Sequence, residues 1–104
     1  MSLEISNRTK KILDKIHDAG NELRQIGVEK VGLFGSYSRG DADESSDIDI
    51  IIIFKPEYKT FDNYFKALDV LENSTSKNVD LVTPESLSEY IKPYIDKEVI
   101  YETL

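Results

Sequence analysis

The stretch Gly-Ser-Tyr-Ser-Arg-Gly-Asp-Ala-Asp-Glu-Ser-Ser-Asp-Ile-Asp-Ile-Ile-Ile-Ile-Phe, residues 35 to 54, decides how the rest of this chain is read. Its second half, Asp47 to Phe54, is the strongest strand in the sequence. Isoleucines occupy both of its faces, as expected for a central strand covered by helices. Asp47 and Asp49 stand at its mouth, one residue apart. Residues i and i+2 of a strand share a face, so the two carboxylates project together. Like charges held that close raise each other's pKa unless a cation lies between them. A divalent metal that also carries phosphates meets that need, because carboxylate oxygens are its preferred ligands.

The first half of the stretch supplies the complement. Lys30 to Phe34 reads as a short strand running into Gly35 and Ser36. A glycine directly after a strand lets backbone approach a phosphate. A helical turn around Ser36 to Arg39 then aims free N–H groups at it. Ser36 adds a hydroxyl. Arg39 is a fork-shaped donor suited to phosphate oxygens. Its alternative use is an ion pair with Asp41, Asp43 or Glu44. Tyr37 either packs a base or covers the core.

Asp80 is the third acid. It interrupts an apolar strand, Val79 to Val82, where an ionised carboxylate is costly unless exposed at the strand end, paired or metal-bound. If that strand neighbours the Asp47 strand, three carboxylates converge in the layout of two-metal phosphoryl transfer. Taken singly, a Gly-Ser pair is an ordinary turn and an Asp-x-Asp an ordinary cap. Taken together they are not: a purely structural account gives no reason to start the most buried strand with two acids.

Outward from this centre, Ser6 to Ile26 predicts one amphipathic helix, with Ile12, Ile16, Ala19, Leu23 and Ile26 on its buried face, Ser6 as cap and Gly27 as stop. Phe61 to Leu71 predicts a second, with Phe61, Tyr64, Phe65, Leu68 and Leu71 on one side. The polar run Asn73 to Asn78 should break it. Beyond Pro84 the pattern predicts a helix through Leu87, Tyr90 and Ile91, kinked or divided at Pro93. An apolar stripe of Ile95, Val99 and Ile100 then runs to the end. This is one α/β domain, residues 1 to 104, with two or three layers.

Composition narrows the chemistry. The chain has 104 residues, enough for one core, and a net charge of −7. Such an acidic balance argues against stable nucleic-acid binding. Absent cysteine and a single histidine, His17, remove thiolate or His-rich metal sites and most Ser-His or Cys-His catalysis. With no signal-peptide pattern and no apolar run long enough to span a bilayer, the expectation is a cytoplasmic protein with no membrane association. Gly35 to Gly40 has the gap of a P-loop, but Asp41 and Ala42 stand where Lys and Ser/Thr are required. Asp41, Asp43 and Ser45 open like an EF-hand, but Ser46 and Ile52 replace its turn glycine and closing glutamate.

With these residues in place, the segment 35 to 50 resembles the signature of the nucleotidyltransferase superfamily of DNA polymerase β type: Gly-Ser, ten residues, Asp-x-Asp, and an acid on a later strand. The small size is similar to the minimal nucleotidyltransferases of the MntA-like antitoxin group. The resemblance, covering about Val28 to Tyr101, implies a short mixed sheet with helices packed on it. It implies triphosphate held by Gly35 and Ser36 with Arg39 nearby, and Mg²⁺, as two ions with bound nucleotide, held by Asp47, Asp49 and Asp80. Asp80 would also help activate the acceptor hydroxyl. The implied reaction moves a nucleoside monophosphate, AMP from ATP, to a hydroxyl and releases pyrophosphate. The implied partner is a HEPN-type toxin modified on tyrosine, in a homo- or hetero-oligomer that supplies the missing acceptor-holding surface. Two alternatives belong to other classes. One is a non-catalytic antitoxin that blocks its partner by occlusion; the other is a small-molecule nucleotidyltransferase.

Overall fold

A computed structural model describes residues 6–104. In chain order the elements are α1 (Asn7–Asp18), α2 (Gly20–Gln25), β1 (Val28–Phe34), α3 (Ser36–Arg39), β2 (Ile48–Phe54), α4 (Phe61–Thr75), β3 (Val79–Val82), α5 (Lys92–Glu98) and β4 (Ile100–Thr103). Short 3₁₀ turns start at Pro56 and Pro84. The four strands form one mixed sheet in the order β3-β2-β1-β4. β1 pairs antiparallel with β2 and β4, and β2 pairs parallel with β3. A parallel neighbour needs a crossover, which α4 provides.

The two faces of the sheet differ because strand side chains alternate. Val31, Leu33, Ile48, Ile50, Ile52, Phe54 and Leu81 point to one face. There they join Ile12, Leu13, Ile16, Leu23, Ala67 and Leu71 of α1, α2 and α4 in a single core. Gly32, Phe34, Asp49, Ile51, Asp80 and Tyr101 alternate to the opposite face. On that face Ile51, Val99 and Tyr101 close over Gly32, leaving no room for a Cβ. The structure is therefore an α/β fold with helices packed on a mixed sheet, three of them on one face. β2 is covered on one face by α1, α2 and α4, while the second face carries Ile95 of α5 and is partly open.

Further expectations are refined by the structure. The first helix is interrupted at Ala19, whose N–H is shared between the carbonyls of Lys15 and Ile16. The apolar period continues across this break, so the period conceals it. α4 does not stop at Leu71. Thr75 is buried inside it with its hydroxyl donating to the Leu71 carbonyl, and the helix ends at Ser76, which has φ 58°. Of the apolar side chains Phe61, Tyr64, Phe65, Leu68 and Leu71 on α4, Leu71 alone is buried, and Phe61 and Phe65 are 87% and 58% exposed. No helix passes through Leu87 and Tyr90. Thr83 and Ser86 cap a 3₁₀ turn instead, and Pro93 sits in the first turn of α5, where its missing N–H costs nothing. Finally, the terminal stripe is not one helix face: Ile95 is buried on α5, whereas Ile100 lies in β4.

Candidate active site

β1 delivers the turn. Gly35 follows Phe34 with φ 73° and ψ −150°, a conformation natural only to glycine. α3 then closes on itself, with the N–H groups of Ser38 and Arg39 donating to the Gly35 carbonyl and those of Gly40 and Asp41 to the Ser36 carbonyl. The N–H groups at the start of such a turn have no partner within it and face outward. Tyr37 is wholly buried in the core, which settles its role as packing; its hydroxyl finds no hydrogen-bond partner among the described residues. α1 anchors the turn from behind, since Thr9 Oγ1 donates to the Tyr37 carbonyl.

β2 and β3 deliver the acids. Parallel pairing sets Asp49 directly beside Asp80, and antiparallel pairing sets Asp49 opposite Phe34. Asp49 Oδ2 lies so close over Gly35 that a Cβ there would overlap it. Turn and carboxylate are thus in contact, and any side chain at position 35 would part them. Burial holds the Asp49 carboxyl above the ordinary carboxylate range. The like charge of Asp80, a side-chain hydrogen bond with Asp80 and the charge of Asp47 add to the effect, while Arg39 opposes it. Asp47 lies just outside β2 and is exposed, as is Asp80.

The donor set fits a hard divalent cation. It is all oxygen, and its central member is destabilised by like charges that such an ion would neutralise. The fit is not a finished cage: among the described residues, no three His, Cys, Asp or Glu side chains are gathered closely enough to hold a metal. Asp49 and Asp80 are brought together, and Asp47 stands at the rim.

Arg39 is half exposed and held in two ion pairs, with Glu98 at 3.0 Å and Asp41 at 3.5 Å. Its pKa is raised by Asp41 first and Glu98 second. Asp41 was foreseen as a partner; Glu98 was not. Glu98 Oε2 also accepts from the Gly35 N–H at 2.9 Å and from Ser38 Oγ at 3.2 Å. The pairing of β4 with β1 explains its arrival. Leu33 opposes Ile100, and the same register carried two residues further sets Gly35 against Glu98. Nothing local in the sequence ties position 98 to position 35.

An apolar cleft of about 500 Å³ opens beside the acids, with Asp49 and Asp80 on one wall and Phe34, Tyr64, Leu68, Leu87, Ile91 and Ile95 among the rest. Tyr64 is fixed by its hydroxyl, which donates to the Leu81 carbonyl. Tyr90 and Tyr94, next in sequence to the lining residues Ile91 and Ile95, are 88% and 70% exposed.

Comparison with known proteins agrees with this architecture. The family model of the nucleotidyltransferase domain matches residues 10–104. The protein adenylyltransferase MntA of Thermococcus cleftensis is 40% identical over 81 residues, spanning 77% of this chain and 81% of the relative. A solved structure assigned as a minimal nucleotidyltransferase superposes with a TM-score of 0.77 at 25% identity, covering 88% of this chain and 93% of the other. A toxin–antitoxin crystal structure with AMP-PNP superposes with a TM-score of 0.64 at 28% identity, covering 85% and 69%.

Proposed function

This chain belongs to the nucleotidyltransferase domain family, among relatives named protein adenylyltransferases, and from that premise we propose that it moves AMP from ATP to a tyrosine hydroxyl of a HEPN-type toxin, acting as its antitoxin. The observation that carries the reading is the placement of Asp49 over the Gly35 turn with Asp80 directly beside it on the neighbouring strand. Asp47, Asp49 and Asp80 would hold Mg²⁺, which when bound neutralises phosphate charge and lowers the pKa of an attacking hydroxyl. The chain's own residues do the rest. Gly35 and Ser36 receive the triphosphate through the open start of α3 and the Ser36 hydroxyl. Arg39 lends positive charge at the rim. The acceptor oxygen attacks the α-phosphorus, the bond to pyrophosphate breaks, and the acceptor's proton passes toward Asp80.

The apolar cleft favours an aromatic acceptor, because a phenol can bury its ring there and present its hydroxyl to Asp80. A cationic sugar would find few polar partners on those walls, which weighs against the small-molecule alternative. The exposed Tyr90 and Tyr94 beside the cleft suit contact with a partner protein. Incubation with labelled ATP, Mg²⁺ and the product of the neighbouring gene should label that product on tyrosine. Asp47→Asn should remain folded and label nothing. A wild-type chain that neutralises its partner without labelling it would establish occlusion instead.

A further inference from the structure

Glu98 stands outside the Gly-Ser and Asp-x-Asp pattern, yet it touches the nucleotide turn at three points. One oxygen, Oε2, accepts from the Gly35 N–H, Ser38 Oγ and Arg39 Nη1 at 2.9, 3.2 and 3.0 Å. Its side chain is 23% exposed, so the charge is partly withdrawn from water, and charge-assisted hydrogen bonds compensate for that. The turn does not need this group to close, since its own backbone bonds already do so. What Glu98 adds is orientation. It fixes the N–H of Gly35, whose φ is 73°, and it holds the half-exposed Arg39 guanidinium against the turn. It also consumes the Gly35 N–H, leaving the next N–H groups along the turn for an anion.

We infer that Glu98 is a positioning residue for nucleotide, setting the Gly35–Arg39 turn and the direction of Arg39 before ATP arrives. The inference rests on the reading of this turn as the triphosphate site. Glu98 itself touches no phosphate in this scheme; it acts through Gly35 and Arg39.

The test measures ATP dissociation constants in the presence of Mg²⁺, alongside thermal melting, for wild type, Glu98→Gln, Arg39→Gln and the double variant, well below the melting temperature. Glu98→Gln keeps an oxygen acceptor of nearly the same shape and loses the charge. The expected result is about tenfold weaker ATP binding in each single variant, with the double variant no weaker than either single one, as for residues acting as one unit. Equal or tighter binding by folded Glu98→Gln overturns the inference: equal binding reduces Glu98 to a strap, and tighter binding makes it a competitor of phosphate. Additive losses in the double variant overturn it as well. Should Glu98→Gln fail to fold, Arg39→Gln still decides, because it leaves the contacts to Gly35 and Ser38 in place; wild-type affinity in that variant removes the purpose assigned to Glu98. A wild-type chain that binds no ATP fails at the nucleotide reading itself. Normal wild-type binding with indifferent variants fails only here.

Discussion

Asp49 is the residue on which stability and chemistry conflict. Its carboxyl binds a proton more tightly in the fold than in the unfolded chain, because burial and Asp80 disfavour the charged form. Its favourable contribution is therefore present in acid, below the ordinary carboxylate pKa, and lost as pH rises through the folded value. Above that folded value the ionised group detracts from stability. Asp49→Asn should raise Tm by a few degrees in metal-free buffer, by scanning calorimetry, while abolishing AMP transfer; a lower Tm would refute the assignment of strain. Gly35 gives the opposite sign. Gly35→Ala combines a disfavoured φ with overlap on Asp49 Oδ2, so a loss of about 1–3 kcal/mol in urea unfolding is expected, together with weakened ATP binding. Both residues were legible in the sequence because their spacing is local: a glycine after a strand, and acids at i and i+2. Glu98 was not legible, because 63 positions separate it from the N–H it binds and only strand pairing unites them.

Among the elements, α3 owes its place to α1. Ser6 Oγ accepts from the Thr9 N–H and donates to Thr9 Oγ1, which donates onward to the Tyr37 carbonyl. Thr9→Val keeps the shape but leaves that carbonyl unpaired in a buried site, at a cost of about 1–3 kcal/mol in chemical denaturation. A neutral result would mean that water or a shift of α1 satisfies the group. Long periodic elements such as β2, and the capped start of α1, could be read from hydrophobic pattern and Ser6. The C-terminal region could not. β4 has only four residues, and its apolar positions, read with those of α5, imitate a continuing helix. The segment from Thr83 to Ile91 is held by local side-chain caps that no hydrophobic period reveals. Tertiary pairing, rather than propensity, defines both.

The whole molecule divides its labour between two sides of one sheet. The helical side, with Ile48, Ile50, Ile52, Leu23 and Leu71 almost fully buried, supplies the core. The opposite side gathers the carboxylates, the turn and the cleft, and among the described residues no helix is long and apolar enough to cross a membrane. Ligands of the open side should add to stability without altering the core. Mg²⁺ with ATP, at about a hundred times its Kd, should stabilise wild type by about 2.7 kcal/mol and leave Asp49→Asn unmoved in the same melting experiment. A comparable gain in that variant would relocate the site.

The crowding of Asp49 against Asp80 matters to anyone who evolves this protein for heat tolerance. Neutral amides at those two positions are among the easiest hardening changes open to the chain. Rounds of selection on survival at high temperature alone will therefore drift toward sturdy, inert descendants, and each round must also demand turnover to keep its winners alive as enzymes.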